Sequence, residues 1–183
     1  MSTQHSNNIQ SNARQEFFIK LAKELTSCMN ASIGGSFALW LHDDPNSGWS
    51  PMTSDLDIIV PYESLIDTAM EVLNKYGSVQ SFKVIDNQAR VTFSPRKQAM
   101  FSMNKMVDSH SFDLKIDFYV TGNAHFKFID GVRVADRALV YAARGYYAGL
   151  GAHKACRQLN DIFGLELTSK VDIRSGAPAM TPA

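Results

Sequence analysis

Two cysteines, Cys28 and Cys156, are all that the 183 residues contain. They are too few for a disulfide scaffold and stand at no metal-ligand spacing, so a reduced, cytoplasmic setting is expected. No charge of one sign dominates either, with 18 Lys and Arg against 18 Asp and Glu. A protein built for broad, sequence-independent nucleic-acid binding carries a basic excess, and that class is excluded. No apolar stretch nears the roughly 18 residues of a membrane span. The opening residues Met1–Asn8 are polar, unlike a signal region. His5, His42, His110, His125 and His153 are scattered without ligand spacing. Internal repeats and low-complexity blocks are lacking as well. What remains is ordinary globular usage, 45% apolar and 20% charged, at a length that suits one domain with a sizeable core.

The apolar pattern divides the chain into a polar tail over 1–12, a folded domain over 13–168 and a flexible tail over 169–183. Phe17, Phe18, Leu21, Leu25 and Cys28 recur at helical spacing from about Ala13. Ala31-Ser32-Ile33 is a short apolar step ending at Gly34-Gly35, and Ser36–His42 reads as a second helix. The stretch from His42 to Pro51 carries every turn signal, and Asp55–Val60 reads as a strand closed by Pro61. Tyr62–Tyr76 is predicted helical, with Leu65, Ala69, Val72 and Leu73 on one stripe and Gly77 as its stop. Strands follow at Val79–Ile85, Ala89–Phe93 and Phe112–Val120. Phe126–Ile129 and Val132–Val134 flank Asp130-Gly131, a strong hairpin signal. Helices at Asp136–Tyr147 and Ala152–Phe163 finish the domain. Helices at both ends of a run of strands predict an α+β fold with a mixed sheet, helices mainly on one face and helices at the C-terminus.

Three elements in this pattern can carry chemistry. Asp55 and Asp57 form a D-x-D pair, and in a strand two carboxylates two apart share a face about 6.6 Å apart along the chain. Side by side they repel, and a hard divalent cation such as Mg²⁺ resolves that repulsion. Gly34-Gly35-Ser36 stands between a short strand and a helix start, where glycines permit a close backbone approach that suits a triphosphate. On Phe112–Val120 the apolar residues alternate and leave Asp113, Lys115, Asp117 and Tyr119 opposite. Asp117, tightly bracketed by apolar residues, is the candidate to complete a metal site or take a proton from an attacking hydroxyl. Asp113 can pair with Lys115 instead. Between Arg133 and Arg157, Arg133, Arg137, Arg144, Lys154 and Arg157 face one acid, Asp136. This run is either a solvated face or a cationic wall toward a triphosphate or charged acceptor. On the second alternative, Arg144 and Lys154 are the expected nucleotide contacts.

The order Gly-Gly-Ser, then Asp-x-Asp followed by apolar residues, then an apolar-bracketed Asp on a later strand resembles the nucleotidyltransferase superfamily typified by DNA polymerase β. Ile33–Leu39 together with Thr53-Ser54-Asp55-Leu56-Asp57 looks most like its small bacterial branch, which includes abortive-infection-type toxins and short aminoglycoside nucleotidyltransferases. The resemblance covers about residues 15–165. Met52 stands where many small relatives have Arg or Lys, and Gln158 where the toxins often have an Asp. By this resemblance Gly34, Gly35 and Ser36 would hold the nucleotide phosphates, and Asp55, Asp57 and Asp117 would ligate Mg²⁺ or Mn²⁺. The implied activity is transfer of a nucleoside monophosphate from an NTP to an acceptor hydroxyl, releasing pyrophosphate. The acceptor stays open between a small molecule, a protein side chain and an RNA end. The alternative is a catalytically inactive binding module or partner subunit on the same fold.

Overall fold

The computed structural model describes residues 2–52, 55–62, 64–85, 88–95, 114–121, 125–167, 171–172 and 177–178. Phe112, Asp113, the Thr53-Ser54 pair and the Asp86-Asn87 turn expected from the sequence lie outside them. Two units make up the chain, 1–136 and 137–183. The boundary falls inside the stretch 13–168 that the sequence pattern reads as one domain.

In the first unit the helices are α1 (Ser2–Met29), α2 (Gly35–Leu41) and α3 (Leu65–Tyr76). The strands are β1 (Ser32–Ile33), β2 (Leu56–Val60), β3 (Gly77–Ile85), β4 (Gln88–Pro95), β5 (Leu114–Val120), β6 (Phe126–Ile129) and β7 (Val132–Ala135). These strands form one sheet in the order β3-β4-β5-β2-β1-β7-β6. β2 runs parallel to β5, β1 parallel to β7, and the other neighbours are antiparallel. This is the predicted mixed sheet. The β6–β7 turn has both Asp130 and Gly131 at positive φ, +49° and +76°, as a two-residue primed hairpin turn requires.

Alternation selects the buried face. Leu56, Ile58 and Val60 of β2, Ile116 and Phe118 of β5, Val91 of β4 and Val132 and Val134 of β7 are fully buried. Helix α1, which packs against α3, β1 and β7, contributes Phe18, Leu21, Ala22, Leu25 and Met29 to the core. Each large apolar side chain so buried contributes roughly 1.5–3 kcal/mol. Cys28, expected on this stripe, is exposed. At about 100° per residue it falls at the stripe's edge, and Met29 takes the inner place. In α3, Ile66 rather than Leu65 joins Ala69, Val72 and Leu73 inside, for the same reason. The turn-rich loop after α2 is fastened by its tryptophan: the Trp49 ring lies 4.7 Å from Trp40, 4.8 Å from Phe37 and 5.4 Å from Phe18.

Helix α1 starts at Ser2, not near Ala13 where the apolar spacing begins. No Gly or Pro interrupts residues 2–29, and extending a nucleated helix fixes one residue per new hydrogen bond. Gly77 ends α3 as predicted, but in extended backbone (φ −171°) that leads straight into β3.

The second unit holds α4 (Arg137–Gly149) and α5 (His153–Phe163), packed on each other through Ala148, Ala152, Ala155, Cys156 and Leu159 with Tyr147 beside them. Gly164 caps α5 in the left-handed region, its N–H donating to the Asn160 carbonyl at 2.9 Å. Asn160 in turn holds Leu167 by two bonds of 2.9 Å, and Val171–Asp172 pairs with Ala177–Pro178 further on. Among the described residues, no helix is long and apolar enough to cross a membrane.

A polar link ties α1 to α3. The Tyr76 hydroxyl donates to Glu24 Oε2, while Lys75 Nζ lies 3.2 Å from Oε1. Burial, then the hydrogen bond and charge of Glu24, push the Tyr76 phenol up to about 12 from its ordinary 10. A raised pKa means the folded chain keeps a proton that the unfolded chain loses. The stabilisation is therefore complete below pH 10 and vanishes as pH rises through about 12. Thermal melts across that window should show the native midpoint falling more steeply than that of Tyr76→Phe. Parallel slopes would remove the link.

Candidate active site

The site is built where β2 meets β5. Their parallel register sets Asp57 beside Asp117 and Leu56 beside Ile116. Leu56 and Ile58 commit one face of β2 to the core, so Asp57 must point to the other, where it is half-buried. Asp55 sits just ahead of β2, also half-buried.

The glycine corner lies directly on this face. The Gly34 N–H donates to the Asp57 carbonyl at 2.8 Å. Gly35 has φ +60°, and a Cβ there would stand 1.7 Å from Asp57 Oδ2. A side chain there would have to push the Asp57 carboxylate aside. A Cβ on Gly34 would press on Ile59 at 3.3 Å. Ser36 follows, buried, in the first turn of α2. With seven residues, α2 has a small macrodipole, so the corner's value lies in backbone approach rather than in helix charge.

Asp117 is 2% exposed. A carboxylate taken from water costs several kcal/mol unless paired. The partner is Arg90, which the sequence alone did not single out. β4 runs antiparallel to β5 with Arg90 opposite Asp117, and the guanidinium reaches over it side-on. Nε donates to Oδ1 and Nη2 to Oδ2, both at 2.6 Å, the two-point fork that only arginine can offer. Hydrogen bonding to Asp117 raises the Arg90 pKa further above its ordinary value, partial burial opposes this, and the charges of Asp117, Tyr119 and Asp55 add to it. Arg90, Asp117 and Asp57 thus form a row across three adjacent strands about 4.8 Å apart.

The structure brings Gly34, Gly35, Asp57 and Asp117 together, with Asp55 and Ser36 flanking them in the chain. Arg144 and Lys154 belong to the second unit. There the Arg144 side chain is buried, its guanidinium 5.6 Å from the Tyr141 ring centre, while Lys154 is exposed near the start of α5. Arg133, in the first unit, has its guanidinium over the Phe126 ring at 3.4 Å and bonds Asn30. Among the described residues, no group of three or more His, Cys, Asp or Glu is gathered as a ready metal site. The donor chemistry nevertheless fits a hard cation, since Asp55, Asp57 and Asp117 offer only carboxylate oxygens. Arg90 engages both oxygens of Asp117. A cavity of about 540 Å³ elsewhere, along α1 beside Tyr76, shares no residue with this row.

No family model matches the sequence, and no curated protein matches it. Among solved structures the fold is similar to that of a proposed nucleotidyltransferase from H. pylori, with a TM-score of 0.55 and 14% identity. That match covers 84% of this chain and 66% of the other, so the chain spans just under two thirds of that protein's resolved length. JHP933 from Helicobacter pylori matches with a TM-score of 0.50 and 12% identity, over 84% of this chain and 74% of its own. At these identities the likeness is one of fold. The chain has a nucleotidyltransferase-like fold: a seven-stranded mixed sheet with helices.

Gly48 provides a control for the glycine corner, because it also has φ +60° but a Cβ there would meet nothing within 4 Å. Gly48→Ala should cost only left-handed strain, about 1–2 kcal/mol. Gly35→Ala should cost roughly 1–3 kcal/mol more, from the clash with Asp57. Urea denaturation of the two variants measures the difference, and equal losses would contradict the stacked geometry.

Proposed function

We propose that the chain is a metal-dependent nucleotidyltransferase that moves a nucleoside monophosphate from an NTP to an acceptor hydroxyl and releases pyrophosphate. One observation supports this above the rest: the Gly34-Gly35 backbone lies on Asp57, and Asp57 lies beside Asp117 in strand register. A phosphate-approach corner and two carboxylates on adjacent strands thereby share one small surface. Asp55, Asp57 and Asp117 would hold Mg²⁺ or Mn²⁺, which supplies charge neutralisation at the α-phosphate and a lowered pKa for the attacking group.

The chain's own residues do the positioning. The bond from Gly34 to the Asp57 carbonyl fixes the corner to the strand, so phosphate and carboxylate cannot drift apart. Gly35, having no side chain, lets the backbone lie close on the Asp57 carboxylate, where a triphosphate would come in. Ser36 would add a hydroxyl beside the phosphates. Placement within the small bacterial branch, beside the abortive-infection-type toxins and short aminoglycoside nucleotidyltransferases, rests on the Ile33–Leu39 and Asp55–Asp57 motifs. Work in the cytoplasm follows from the cysteine content. The acceptor, whether a small molecule, a protein or an RNA end, is identified by which fraction of a cell extract gains label from each NTP.

A second reading, an inactive binding module or partner subunit, draws on the fork from Arg90 that engages both oxygens of Asp117. Such a module binds NTP without releasing pyrophosphate. Measuring NTP binding and pyrophosphate release on the same samples separates the two readings. On the catalytic reading, Asp57→Asn should lower release at least about 100-fold. It should leave the urea midpoint unchanged or slightly raised, because one of the neighbouring acids is neutralised. Asp57→Asn and Asp117→Asn variants that both release pyrophosphate at the native rate would end the three-carboxylate account.

A further inference from the structure

We infer that Arg90 is a built-in counter-ion of the acidic row, which holds Asp117 until a divalent cation displaces it and so sets the affinity for that cation. The inference rests on the reading that Asp55, Asp57 and Asp117 bind such a cation.

Three observations carry it. Asp117 is 2% exposed and cannot stand unpaired, so some cation must always face it. Arg90 now fills that role through Nε and Nη2, at 2.6 Å each, leaving neither oxygen without a donor. The Arg90 side chain itself is 38% exposed, against 2% for its partner. Once another cation faces Asp117, the guanidinium can move into water, while the carboxylate has nowhere to go. The pair is asymmetric: one member is fixed in the sheet, the other is hinged at the surface. Arg90 also feels the charge of Asp55, so it balances more than one of the proposed ligands.

The consequence is an exchange of one cation for another. A divalent ion approaching Asp57 and Asp117 meets a positive charge about one strand spacing away and must repel or replace it. Arg90 is a positioning residue in this account: its two bonds fix the Asp117 carboxylate and neutralise it when no metal is bound. Lysine in its place retains the charge but loses the two-point fork, and glutamine loses the charge altogether.

The experiment is direct titration of the full chain with Mn²⁺ alone, followed by electron paramagnetic resonance of the free ion, with thermal melts of the same samples. Arg90→Gln should bind Mn²⁺ at least about tenfold more tightly than the native chain, since a like charge is removed. It should melt lower without Mn²⁺ and gain more from its addition. Arg90→Lys should fall between the two, and serves alone if Arg90→Gln does not fold. Folded variants that bind Mn²⁺ no more tightly than the native chain would overturn the inference. Asp57→Asn separates that failure from failure of the parent reading. If Asp57→Asn loses Mn²⁺ while the Arg90 variants do not gain, only the role of Arg90 falls. If Asp57→Asn binds Mn²⁺ like the native chain, or the native chain binds none, both fall.

Discussion

A carboxylate buried in the middle of a seven-stranded sheet has to be paired, and the pairing of Asp117 with Arg90 organises what surrounds it. The fork requires Arg90 to lie opposite Asp117, which fixes the register of β4 on β5. β5 in turn meets β2 in parallel register, which brings Asp57 alongside. Because strands alternate, that one choice also places Ile116, Phe118, Leu56 and Ile58 on the opposite, apolar face. Slipping any of these strands by one residue would bury the charges in the core and expose the core to water. The polar row and the hydrophobic core are two sides of a single register.

The glycine corner depends on the same arrangement. Gly35 sits against Asp57 more closely than any side chain would allow, so the corner forms only when Asp57 points away from the core. Behind it, Phe37, Trp40 and Trp49 pack ring to ring and hold the loop that leads to Asp55. Aromatic packing of this kind contributes about 0.5–1.5 kcal/mol per pair beyond its buried area. The core thus fixes the strand, the strand fixes the carboxylates, and the Asp57 carboxylate favours glycine at position 35.

Local spacing made part of this legible. Asp55, Asp57, Gly34 and Gly35 lie within 24 residues of one another, and their alternation and turn chemistry can be read without knowing what they face. Asp117 could be chosen over Asp113 because Ile116 and Phe118 bracket it. Arg90 was not legible, although Ala89 and Val91 bracket it in the same way. Its meaning comes from a partner 27 residues away, and nothing in a single strand states its register with another. The surroundings of single arginines were hidden for a similar reason: Arg133 lies over the Phe126 ring of β6 and Arg144 is buried, and charge counting registers neither. The start of α1 at Ser2 was missed because residues before Ala13 carry no apolar stripe, although nothing in them breaks a helix.

The central claim is that Asp55, Asp57, Asp117 and the Gly34-Gly35 corner form one site for a divalent cation and a triphosphate, with Arg90 giving way as the cation enters. A crystal structure of the chain grown with Mn²⁺ and a non-hydrolysable NTP analogue, with manganese located by anomalous scattering, tests it most directly. The account predicts a manganese peak among the three carboxylates, phosphate density against Gly35, and the Arg90 guanidinium turned away from Asp117. Manganese bound elsewhere, with the Arg90–Asp117 fork intact, would contradict it.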